Sequence, residues 1–302
     1  MCIRDSDSSA SGSTLFVEPR SVLSIGNRLV DLESRIRDEE QRVLAELSSS
    51  VADQQEPLTV LNGVLLRLDL ALARGRYGRW LGGSVPQLVE EPQASFRLEN
   101  LRHPLLVWQE KRAEGPKVVP ISLEVSEELR VVAITGPNTG GKTVTLKSIG
   151  LAALMARAGM LLPCSGQPSL PWCAQVLADI GDEQSLQQSL STFSGHVKRI
   201  GRILGALQQG PAPALVLLDE VGAGTDPSEG TALATALLKA LADRARLTIA
   251  TTHFGELKAL KYNDRRFENA SVAFNAETLS PTYELLWGCL LYTSDAADDR
   301  LS

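Results

Sequence analysis

Residues 131–143 read VVAITGPNTGGKT, and this stretch decides the fold. The apolar run 131–134 predicts a buried strand, and the segment 143–160 behind it predicts a helix. The turn between them fits G-x-x-x-x-G-K-[ST] in full. Its glycines let consecutive backbone N–H groups converge on a phosphate, and the following helix adds its positive end. Gly136, Pro137, Asn138, Thr139, Gly140, Gly141, Lys142 and Thr143 form the expected cradle. Lys142 is placed to reach the β- and γ-phosphates and Thr143 to offer a hydroxyl to Mg²⁺. ATP and Mg²⁺ are the ligands this implies. By itself such a loop serves kinases, GTPases and DNA motors alike.

Further along the chain the choice narrows. Residues 215–220, LVLLDE, are four apolar residues followed by two carboxylates. A strand buried on both faces delivers such acids to the C-terminal edge of a sheet, where open α/β folds bind ligands. Asp219 is expected to hold Mg²⁺, directly or through water, and Glu220 to polarise the attacking water. In LTIATTH, 247–253, His253 ends another strand 33 residues after Glu220. A lone histidine is commonly structural, but strand–helix–strand spacing brings this one beside the γ-phosphate. Ras-like GTPases use a glutamine there, so the order points to ABC-type ATPases. The segment 185–195, SLQQSLSTFSG, precedes a helix that Ser191, Thr192 or Ser194 could simply cap. In ABC-type ATPases such a helix start docks on the partner subunit's nucleotide.

Strand runs at 118–125, 129–134, 214–218 and 247–251 alternate with helical patterns at 143–160, 199–207 and 230–245. This predicts an α/β fold: an ABC-type P-loop ATPase domain on a mixed, largely parallel sheet. Ahead of it, 21–81 carries apolar residues mostly at threes and fours, an all-α core or lever region. The charged run 35–42 reads as a solvated helix face. Gly, Pro and Ser cluster at 82–92, the expected boundary. The expected domains are thus a helical region over 7–85 and an ATPase domain over 90–288.

A net charge of −6 gives no overall positive field to draw the chain onto nucleic acid or anionic lipid. None of the four cysteines forms a C-x-x-C pair, so reduced thiols are expected. No apolar run nears the roughly 20 residues of a membrane helix, and no signal-peptide core opens the chain. A cytoplasmic protein without membrane contact is expected.

Four stretches carry a resemblance: GPNTGGKTVTLK (136–147), DIGDEQSLQQSLSTFSGH (179–196), LLDEVGAGTDPSEGTALA (217–234) and ATTHFGELKAL (250–260). They are similar to the MutS ATPases, above all to the MutS-two paralogue, which lacks a mismatch-reading domain. Thr139, the GTDP at 224–227 and DSSASGSTLFVEP at 7–19 favour that paralogue. The resemblance spans 7–288. It implies a homodimer closing around two ATP molecules, each site completed in trans by Ser191. It implies that long helices carry the closure to a clamp on branched or recombining DNA, suppressing homologous recombination, or on stalled, collided ribosomes. By position Val118 and Val119 match the part that packs on the adenine base, though two valines serve a core equally well.

Residues 1–6, MCIRDS, and 289–302, CLLYTSDAADDRLS, match nothing in that family and are expected to be artefactual ends of a truncated piece. The family's Smr-type nuclease domain and its clamp insertion are accordingly expected outside these residues. Mismatch-repair MutS, and a nucleotide-binding interaction module that does not hydrolyse, are the competing readings.

Overall fold

The computed structural model describes residues 4–8, 15–18, 20–90, 94–136, 141–181, 192–275 and 280–287. The chain divides into two compact units, residues 1–70 and 71–302. In the first, strands β1 (Arg4–Ser8) and β2 (Leu15–Glu18) pair antiparallel ahead of the long helix α1 (Arg20–Ala52). A hairpin thus precedes the helices in the region expected to be helical from residue 7. Helix α2 (Gln55–Leu81) follows, and the division between the units falls within it. Ile25, Leu29 and Ile36 of α1 and Leu61, Val64 and Leu68 of α2 are exposed. Arg35 pairs with Asp31, and Arg42 with Glu39 and Glu46, so the charged run is the solvated face its composition predicts.

The composition change at 82–92 marks the end of α2. Its last turns bury Gly78 and Leu81 within the second unit. A Cβ on Gly78 would lie 2.7 Å from the Leu161 Cβ, so only glycine admits this approach.

The second unit holds two sheets. The smaller runs β3 (Gln87–Val89), β7 (Ser165–Pro171), β4 (Phe96–Leu101), β5 (Ile121–Val125). The larger runs β12 (Ser280–Trp287), β11 (Phe267–Asn275), β6 (Val131–Thr135), β10 (Leu247–Thr252), β9 (Ala214–Leu218), β8 (Gln175–Asp179). Only β12 is antiparallel to its neighbour, so this is the largely parallel mixed sheet expected. Helices α3 (Pro104–Lys111), α4 (Lys142–Arg157), α5 (Thr192–Gln209), α6 (Pro227–Ala242) and α7 (Leu260–Asn263) complete the unit.

Strands β6 and β9 are almost wholly apolar because both faces are covered. Val132, Ile134, Leu215 and Leu217 join one core with α4 and the smaller sheet. Val131, Val216, Leu218 and Ala250 join the other with α6. Arg246, at the entrance to β10, is buried and donates to the carbonyls of Ala94, Ser126 and Leu129. Burial, with Arg130 nearby, brings its guanidinium down to about 10, so it is charged at neutral pH. Among the described residues no helix is long and apolar enough to cross a membrane.

Candidate active site

Strands β6, β9 and β10 run parallel side by side, so their C-terminal ends open at one edge. Beyond β6, Gly136 has φ +135° and Gly141, the N-cap of α4, has φ +86°. Both lie in the region that favours glycine, as a loop turning its N–H groups inward requires. Pro137, Asn138, Thr139 and Gly140 lie outside the described residues, as does Ser191.

Lys142 opens α4 and is only 2 % exposed. Its ammonium donates to the Gly136 carbonyl at 2.5 Å and stands 3.5 Å from His253 Nδ1. Burial holds it below the usual lysine value, and the charges of Glu220 and Asp219 pull it partly back. A desolvated cation aimed along a glycine loop is a ready partner for phosphate oxygens.

Next to it, Thr143 Oγ1 donates to Asp219 Oδ2 at 2.7 Å. A hydroxyl paired with a carboxylate offers two hard oxygens side by side, the donor type Mg²⁺ takes. His253 Nε2 lies 3.1 Å from Glu220 Oε1. An ammonium can only donate, so the Lys142 contact assigns the acceptor role to Nδ1 and the proton to Nε2, which donates to Glu220. His253 thereby bridges Lys142 and Glu220. Val118 is buried and lines a cavity of about 260 Å³ with Val119, Gly141, Val144 and Thr145. The cavity is largely apolar and borders Gly141 at the end of the glycine loop.

Two members of this edge, Thr251 and Asp179, were not anticipated from the sequence. Thr251, fully buried on β10, donates to Asp219 Oδ1 at 2.5 Å and accepts from the Glu220 N–H at 2.8 Å. Asp179 ends β8, and its backbone carbonyl accepts from the Asp219 N–H at 2.8 Å. Its carboxylate is held by His196, at 2.7 Å, and by Arg199, both on α5. The available signals were a polar pair inside an apolar strand, at 251–252, and an acid closing a strand as Asp219 follows β9.

Residues 132–287 match the family model for MutS domain V. A Synechocystis protein described as endonuclease MutS2 is 56 % identical over 93 % of this chain and 36 % of its own length. Proteins so described from Symbiobacterium thermophilum and Halalkalibacterium halodurans are 48 % and 46 % identical over 93 % of this chain and 34 % of theirs. The chain thus spans about a third of the length of these curated relatives.

Proposed function

Because the chain belongs to the MutS family and carries its domain V, we propose that it is an ATP-hydrolysing motor of the MutS2 type. The observation that carries this reading is the continuous contact from Lys142 through His253 to Glu220, beside the Thr143–Asp219 pair. In this reading the glycine loop and Lys142 bind the phosphates, and Val118 packs on the adenine. Thr143 and Asp219 would hold Mg²⁺, which when bound would supply positive charge to the phosphate oxygens. Glu220 takes a proton from water as its oxygen bonds to the γ-phosphorus and the bond to the ADP oxygen breaks. His253, donating to Glu220, fixes the carboxylate and senses whether phosphate is present.

Glu220→Gln keeps the shape and removes the base. Turnover should fall at least about 100-fold while fluorescent-nucleotide affinity stays within about three-fold. Unchanged turnover would take Glu220 out of the role.

The active form is proposed to be a homodimer with Ser191 of each chain completing the other's site. ATPase rate per chain should then rise with protein concentration, and a flat profile would refute the shared site. In the whole protein, closure is proposed to tighten a clamp, and the relatives' description as endonucleases supports nucleic acid as what it grips. Holding branched DNA would suppress recombination, whereas gripping ribosomes would split collided ones. Co-sedimentation of the full-length protein with four-way junctions and with ribosomes separates these outputs.

A further inference from the structure

The parallel pairing of β9 with β10 ends where Leu218 faces Ala250. One step further the backbone of 219–220 leaves the sheet. Glu220 there has φ +53°, in the left-handed region that a side chain with a Cβ rarely enters. Something must hold it there, because a non-glycine residue in that region persists only where its surroundings over-determine it.

Thr251 supplies that hold. Its carbonyl accepts from the Val221 N–H at 2.9 Å, and its hydroxyl accepts from the Glu220 N–H at 2.8 Å. The same hydroxyl donates to Asp219 Oδ1 at 2.5 Å. One side chain thus fastens the turn and the first acid together, while the other Asp219 oxygen receives Thr143 Oγ1. The chain of bonds runs unbroken from the first turn of α4 to the backbone of Glu220. A β-branched side chain suits this, since it has few rotamers in a strand and keeps its hydroxyl aimed. Thr251 is 0 % exposed, so it cannot touch a ligand and can act only through its neighbours.

We propose that Thr251 is a positioning residue for hydrolysis: its hydroxyl fixes the left-handed turn at Glu220 and the rotamer of Asp219, setting where both carboxylates point. This rests on the hydrolytic reading of the site. It extends that reading to a residue with no place in the glycine loop, the acid pair or the histidine switch.

Thr251→Val and Thr251→Ser in the same chain test it. Valine keeps the volume and loses the hydroxyl, removing its bonds to the Glu220 N–H and to Asp219 Oδ1. ATP turnover at saturation should fall roughly ten-fold or more, with nucleotide affinity within about three-fold of the parent. Serine should recover most of the turnover. Amide hydrogen exchange gives a readout independent of activity: the Glu220 amide should lose protection in Thr251→Val and keep it in Thr251→Ser. Turnover and Glu220 protection both unchanged in Thr251→Val would overturn the assignment. So would equal losses of turnover, nucleotide affinity and thermal midpoint, which mark a residue needed only for packing. If the parent chain binds ATP without hydrolysing it, the hydrolytic reading fails, and Glu220 exchange alone decides whether Thr251 holds the turn.

Discussion

At the residue scale the site is built from groups that are costly alone and satisfied together. Lys142 shows this best. An ammonium removed from water is expensive, and here it contacts one carbonyl and one imidazole, with two carboxylates contributing at longer range. That arrangement favours an anionic ligand, which would replace weak acceptors with charged ones. Lys142→Ala should weaken ATP binding roughly 10- to 100-fold, from the 1.5–3 kcal/mol typical of hydrogen bonds to charged groups. Titration with a fluorescent ATP analogue checks it, and unaltered affinity would count against the phosphate-loop role. The loop, both acids and His253 were legible in the sequence because their spacing is a property of one chain. Thr251 and Asp179 were not, because their partners are set by which strand lies alongside. That a hydroxyl on β10 meets an acid after β9 follows from register, which no local pattern states.

At the element scale, the turn after β9 and the start of α6 are pressed together through glycine. A Cβ on Gly230 would lie 2.5 Å from the Gly222 carbonyl oxygen and 2.9 Å from the Phe254 ring. A backbone oxygen cannot swing aside as a side-chain tip can. Gly230→Ala should therefore cost about 1–3 kcal/mol of overpacking. With roughly 2–4 °C per kcal/mol for a domain of this size, a thermal melt should show the midpoint lowered by several degrees. Turnover should fall too, since Phe254 follows His253 directly and the displaced turn contains Gly222, two residues from Glu220. Strands β6, β9 and β10 were readable, β9 to the residue, because burial on both faces writes a largely apolar run; β8, QVLAD, and β11, FENASVAFN, mix in polar residues and were not. The smaller sheet was mostly unreadable. Irregular pairing interrupts β4 against both its neighbours, and β7 reads SGQPSLP, a sequence that looks like a loop. Both strands owe their form to the layer they cover.

At the scale of the whole second unit, Arg246 joins segments far apart in sequence. Its contacts with Ala94, Ser126 and Leu129 tie the start of β10 to the segments that lead into β4 and β6. Arg246→Leu fills much of the space but leaves three carbonyls to find new donors. It should lower unfolding free energy by about 2–4 kcal/mol, measured by urea denaturation. Nucleotide affinity of the remaining folded protein should be little changed, because the opposite end of β10 carries the chemistry. The central position of β6 has a different consequence, one of time. Its two neighbours in the sheet are β10 and β11, whose first residues, Leu247 and Phe267, come more than a hundred positions after Thr135. At a synthesis rate of roughly 5–20 residues per second, the strand before the phosphate loop waits about 6–20 s for a partner. During that interval the nascent chain exposes a strand that is buried at all five positions in the folded unit to solvent and to chaperones. The sheet edge that carries Lys142, Asp219 and His253 therefore assembles only once β10 has been made.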